Sequence, residues 1–73
     1  MATETKKERF QRLAERRTND VLERLRILGN CANRGQYEYS SEEVRKIFNT
    51  IEREVKLIKL KFKDGETQKF KLS

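Results

Sequence analysis

The 73-residue chain contains no proline, no histidine and no tryptophan, and it has only three glycines and one cysteine. A single cysteine cannot form a disulfide within the chain, and without histidine the usual Cys/His zinc sets are excluded. The absence of histidine also removes the commonest general base, and the chain contains no Gly-rich phosphate loop and no H-E-x-x-H motif. We therefore expect a non-catalytic protein that needs no metal or cofactor.

Long apolar runs are also missing. No stretch approaches the roughly 18 residues that a membrane span needs, and no apolar segment typical of a signal peptide precedes the first charges. The lone Cys31 fits a reducing compartment, and we expect it to be a small buried side chain rather than a reactive thiol. These absences predict a cytoplasmic protein with no membrane partner.

Charge dominates the residues that are present. Charged residues make up 41% of the chain, hydrophobic residues 34%, and the net charge is +6. Such a composition can belong to a disordered segment, but the apolar residues recur periodically, which predicts folding. The positive excess favours polyanionic partners, whereas salt-bridged helical faces are the structural alternative.

A first helix is predicted over about residues 5–28. Thr5 and Glu8 have the spacing of a capping box, and Gly29 is placed as the left-handed residue that follows the helix. The apolar positions fall on one helical face. They are Phe10, Leu13, Ala14, Val21, Leu25 and Leu28.

A second helix is predicted over about residues 41–61, after a linker at 29–40. Ser40 and Glu43 form a second capping box, and Tyr39 can pack against Val44 as a hydrophobic staple. Apolar residues then follow at steps of three and four, which is typical of a seam that packs on another helix. They are Val44, Ile47, Phe48, Ile51, Val55, Ile58 and Phe62.

The C-terminal part allows two interpretations. Residues 58–72 alternate like a β-hairpin around Asp64 and Gly65, but an isolated two-stranded hairpin is only marginally stable. We favour a helix to about residue 61, a short turn at Asp64-Gly65, and an extended tail within 62–73. Phe70 and Leu72 would then fold back onto apolar surface.

These elements predict a single, mainly α domain over residues 1–73, built as an antiparallel two-helix hairpin with a short C-terminal turn and tail. Two facing seams leave apolar residues such as Leu22 and Leu60 uncovered. Pairing of hairpins into a helical bundle would cover them, so we expect a homo-oligomer.

Two arginines on the first helix are candidate ligand-binding residues. At 100° per residue, Arg17 and Arg24 fall on or beside the apolar face, where an unpaired guanidinium is costly. They could bind phosphate bidentately, or they could instead extend outward to solvent or to carboxylates across a subunit interface. Both interpretations are open from the sequence.

The linker supplies the other candidates, which are Asn30, Asn33, Arg34, Gln36 and Tyr37. Amide side chains can read the edge of a base, tyrosine can stack on it, and arginine can hold phosphate. Asn and Gly are also ordinary turn formers. Because acidic residues crowd the start of the second helix, an anion should sit nearer the arginines than near Ser40.

The run RTNDVLERLRILGNCANRGQYEYSSEEVRKIF resembles short accessory proteins of bacterial mobile elements and phages, and the resemblance extends over residues 10–62. It implies an accessory role in binding. Our first hypothesis is a homo-oligomer that sequesters a phosphate-bearing, nucleotide-like ligand. A small basic nucleic-acid-binding regulator is the second, and an inhibitor that binds a host protein through an exposed helical face is the third.

Overall fold

The structure, a computed structural model, describes the backbone of residues 3–67 and the side chains of residues 3–63. It contains two α-helices, α1 at Lys6–Gly29 and α2 at Ser41–Thr67, with a 3-10 turn at Asn30–Ala32 between them. Residues 3–67 contain no β-strand. The mainly α class and the number of helices predicted from the sequence are therefore confirmed.

Both predicted helix starts are confirmed by their hydrogen bonds. The Glu8 backbone N–H donates to the Thr5 hydroxyl at 3.0 Å, and the Thr5 N–H donates to the Glu8 carboxylate at 3.0 Å. The Glu43 N–H donates to the Ser40 hydroxyl at 3.1 Å, and the Ser40 N–H donates to the Glu43 carboxylate at 2.8 Å. Each box satisfies backbone donors that the first helical turn leaves without an intrahelical acceptor.

The way in which α1 was predicted to end is wrong. Gly29 was expected in the left-handed conformation beyond the helix, but it has φ −60° and ψ −24° and is the last residue of α1. The chain instead tightens into the 3-10 turn, where the Asn30 N–H donates to the Ile27 carbonyl. Such i→i+3 bonds satisfy terminal carbonyls without any residue of positive φ.

The second helix is longer than the sequence analysis predicted. It continues through Asp64 and Gly65 to Thr67, whereas we expected an end near residue 61 and a turn at these two residues. Glycine costs roughly 1 kcal/mol inside a helix, which one position can absorb when no proline interrupts the helical hydrogen bonds. The alternative β-hairpin is excluded over residues 58–67, which are helical. Phe70 and Leu72 lie outside the described residues.

The chain divides into two units between Glu38 and Tyr39. The first unit contains α1 and the 3-10 turn, and the second contains α2. No residue in the described part of either unit is buried. The apolar stripe of each helix is therefore incompletely covered: Leu13 and Ile51 are partly buried, but Val21 is 56% and Val55 47% exposed.

Candidate functional site

The N-terminal arginines of α1 are held by one carboxylate. The Glu4 carboxylate accepts from Arg12 through two hydrogen bonds, with Nε at 2.6 Å and Nη2 at 3.0 Å. Arg9 Nε lies 3.8 Å from the same carboxylate. The hydrogen bonds from Arg12 lower the pKa of Glu4 and raise the pKa of Arg12, because each charge stabilises the other. Arg9 and Arg12 therefore both form local ion pairs with Glu4.

The C-terminal end of α1 has a weaker pair of the same kind. Arg26 Nη1 lies 3.4 Å from the Glu23 carboxylate, one helical turn earlier. Both side chains are largely exposed, at 70% and 63%, so solvent screens the attraction. Arg26 faces solvent beside a carboxylate and is not a candidate for ligand binding.

Arg17 and Arg24 differ from these arginines. Over the described residues, neither is within ion-pair distance of a carboxylate. The step of seven residues from Arg17 to Arg24 corresponds to about 700°, so they share one side of α1 at an axial spacing of about 10.5 Å. Their side of the helix also carries Phe10 and Val21, both 56% exposed. Two arginines without an acidic partner therefore interrupt an uncovered apolar stripe.

The linker residues are organised around Asn33. Its side-chain Oδ1 accepts from the Gly35 N–H at 2.9 Å, which forms an Asx turn. Its backbone carbonyl accepts from the N–H groups of Gln36 at 3.1 Å and Tyr37 at 2.9 Å. These bonds draw residues 33–37 into one turn, which projects Tyr37 with 49% of its surface exposed. The side-chain oxygen of Asn33 thus has a structural role, and its amide group is the part that could contact a base.

The seven predicted site residues all belong to the first unit, but they form two groups. Asn30 begins the 3-10 turn, and the turn residues follow it directly. Arg24 lies about 9 Å before Asn30 along the helix axis, and Arg17 lies about 20 Å before it. An arginine side chain spans only part of the longer distance. Arg24 can therefore contribute to a site with the turn of its own chain, whereas Arg17 can do so only from another copy.

The first turn of α2 is capped by the side chains of Ser40 and Glu43. Glu43 accepts from both the backbone N–H and the hydroxyl of Ser40, at 2.8 and 3.2 Å. Glu42 adds a second negative charge in the same helical turn. A bound anion would meet two carboxylates here, which agrees with the expectation that an anion should lie nearer the arginines.

Two features of the structure were not predicted from the sequence. Cys31 was expected to be buried, but it is exposed within the 3-10 turn, because the described part of this unit has no buried position to receive it. The pairing of Glu4 with Arg12 was not predicted, since a spacing of eight residues is not one of the helical neighbour spacings. Its only sequence signal is the position of Glu4 before the cap, from which its side chain can extend along the first turns.

Metal ligands do not cluster in the part of the chain that the structure describes, where no group of three or more cysteine or acidic side chains could hold an ion. Within the same residues, no helix combines the length and apolar character needed to cross a membrane. Comparisons with models of protein families, with curated proteins and with solved structures found no match to this chain.

Proposed function

We propose that this chain is a non-catalytic accessory binding protein, of the kind carried by mobile elements and phages. In this proposal it forms a homo-oligomer and sequesters a phosphate-bearing, nucleotide-like ligand. The observation that carries the proposal is that Arg17 and Arg24 lie on the apolar stripe of α1 without a carboxylate partner, while Arg12 and Arg26 on the same helix are paired. A guanidinium on an apolar stripe needs a counter-charge once that stripe is covered, and a phosphate supplies it with bidentate geometry.

The oligomer is part of the proposal because of the uncovered stripes. Chains of this size bury a smaller fraction of their surface than larger domains, and helical hairpins gain a core by pairing. We propose that α1 and α2 form an antiparallel hairpin and that hairpins associate into a helical bundle. Covering the stripe would desolvate Arg17 and Arg24, which strengthens their attraction to an anion.

The ligand would use both groups of site residues. Arg24 and Arg34 would hold phosphate beside the turn, and Asn33, Gln36 and Tyr37 would contact the base by hydrogen bonding and stacking. Asn30, at the junction of α1 and the turn, would border the same site. Because Arg17 is about 20 Å from this junction, it would complete the site of another copy.

A thermal-shift screen against mono-, di- and cyclic nucleotides tests this function. A ligand at 100 times its Kd stabilises the folded state by about 2.7 kcal/mol, which raises the melting temperature by about 10–20 °C in a domain of this size. We expect at least one nucleotide class to give this shift at micromolar to millimolar concentration. The absence of a shift across the whole screen would refute nucleotide capture.

Single arginine variants test the site itself. We expect Arg17→Ala and Arg24→Ala each to weaken nucleotide binding at least tenfold, because charge-assisted bonds contribute about 1.5–3 kcal/mol. Arg16→Ala is the matched control, since Arg16 is the adjacent arginine on a different side of α1 and also has no ion pair in the described chain. If Arg16→Ala weakens binding as much as Arg17→Ala, the effect is one of net charge and the assigned site is wrong.

Salt dependence separates this function from the binding of nucleic acid. A small ligand with one or two phosphates should bind with a shallow dependence on salt. Duplex DNA should instead lose affinity steeply, with a log–log slope of about −0.9 for each phosphate contacted. A steep slope with DNA and no response to nucleotides would support the nucleic-acid-binding regulator in place of the sequestering protein.

A further inference from the structure

The seam of α2 is regular enough to specify a partner helix. Six apolar residues follow one another at alternating steps of four and three residues over three heptads. They are Val44, Phe48, Ile51, Val55, Ile58 and Phe62. Phe48, Val55 and Ile58 are each 45–47% exposed, and Phe62 is 65% exposed. A seam of this period is covered by another helix with similar spacing, and α2 itself has that spacing.

Charged residues flank the seam in an order that is complementary to itself. Along one edge, each directly after a seam residue, stand Arg45, Glu52 and Lys59. In the described part of the chain, Glu52 and Lys59 have no ion-pair partner. An edge that alternates in sign at heptad spacing can pair with a second copy of itself in the opposite direction.

The direction and register follow from the signs of these charges. In an antiparallel pair with its two-fold axis near residues 55 and 56, Glu52 of each helix lies opposite Lys59 of the other. Because the pair has two-fold symmetry, this contact occurs twice. If the register shifts by one heptad, Glu52 lies opposite Glu52 and Arg45 lies opposite Lys59, so every contact joins like charges. In a parallel pair this edge meets the other edge, where Lys59 falls beside Glu54 of the second copy but Glu52 falls beside the uncharged Ile47, so only one of the two charges is paired.

We propose that α2 packs antiparallel against α2 of a second copy of this chain, with reciprocal contacts between Glu52 and Lys59. The contact is the subunit interface of the homo-oligomer and rests on that part of the proposed function. In the hairpin proposed above, the opposite edge of α2, which carries Ile47, would be left for α1. In an all-antiparallel bundle every helix contacts two neighbours, so both contacts can exist together.

Charge reversal in the full-length protein tests the interface. We expect Lys59→Glu to raise the dissociation constant of the oligomer about tenfold at low salt, measured by sedimentation equilibrium, because two attractive contacts become repulsive. Arg53→Glu is the matched control. It makes the same change of charge on the side of α2 opposite the seam, and we expect less than a twofold effect.

The exchanged pair provides the rescue. The double variant Glu52→Lys with Lys59→Glu restores the opposite charges, so its dissociation constant should return to within about twofold of the parent value. A double variant as weak as Lys59→Glu, a control variant as weak as either, or a parent protein that is monomeric at all concentrations would overturn the proposal.

Helix direction has a separate readout. A spin label at Lys46→Cys, in a chain that also carries Cys31→Ser, lies well away from the proposed two-fold axis. In the antiparallel pair, the two labels are separated by about 30 Å along the helix axis. In a parallel pair the axial separation is zero, and adjacent helix axes are only about 8–10 Å apart. A short label distance would overturn the antiparallel assignment.

A negative nucleotide screen would leave all of these expectations about the interface unchanged, so failure of the proposed function and failure of the proposed interface can be told apart.

Discussion

Replacement of Gly29 by alanine tests how α1 ends. Gly29 has helical dihedral angles, φ −60° and ψ −24°, and a Cβ atom built on it would meet no heavy atom within 4 Å. Alanine can therefore occupy this position without strain or collision. The sequence alone suggests the opposite, because a glycine after an amphipathic run commonly has a positive φ that alanine adopts only at a cost.

The two conformations predict effects of opposite sign. In the helical conformation, alanine reduces the conformational entropy of the unfolded chain and favours the helix, so Gly29→Ala should stabilise the protein by about 0.5–1 kcal/mol. In the left-handed conformation, the added Cβ would destabilise it by about 1–2 kcal/mol. The difference between these outcomes is large compared with the error of a careful denaturation measurement.

The assay is urea denaturation followed by circular dichroism at 222 nm, at one fixed protein concentration because association shifts the apparent stability. Gly35→Ala is the contrasting variant. A Cβ at Gly35 would meet Asn33 Oδ1 at 3.1 Å, so the Asn33 side chain must move and we expect no gain in stability. A lower urea midpoint for Gly29→Ala, without a change of slope, would refute the 3-10 ending of α1.

Three other predictions concern local hydrogen bonds. Ser40→Ala should cost about 1 kcal/mol in a thermal or urea melt through loss of its cap bond, whereas Ser41→Ala, one residue into α2, should cost much less. The pKa of Glu4, followed by NMR titration, should lie below its usual value and return toward it in Arg12→Gln. A lowered folded-state pKa means that this ion pair stabilises the N-terminal turn above the unfolded pKa and is lost as the pH falls through the folded pKa. Asn33→Ala should speed exchange of the Gly35 amide hydrogen, while Asn33→Asp, which keeps the acceptor, should not.

The candidate site was predictable only in part. The positions of Arg17 and Arg24 on one face of α1 follow from helical geometry and needed no structure. Their lack of a carboxylate partner could not be predicted, because Glu4 pairs with Arg12 across eight residues while other nearby carboxylates remain unpaired. The Asx turn at Asn33 likewise assigns a structural role to a residue whose type suits a turn and a ligand equally well.

The sequence by itself determined the mainly α fold class and the starts of both helices. Those starts depend on hydrogen bonds between residues three apart, at Thr5–Glu8 and Ser40–Glu43, and such local bonds form whenever the spacing is right. Only the three-dimensional structure showed where the helices end, with Gly29 inside α1 and α2 continuing to Thr67. A helix end is set by a balance of about 1 kcal/mol between glycine entropy and terminal hydrogen bonds, and residue types alone do not resolve a difference of that size.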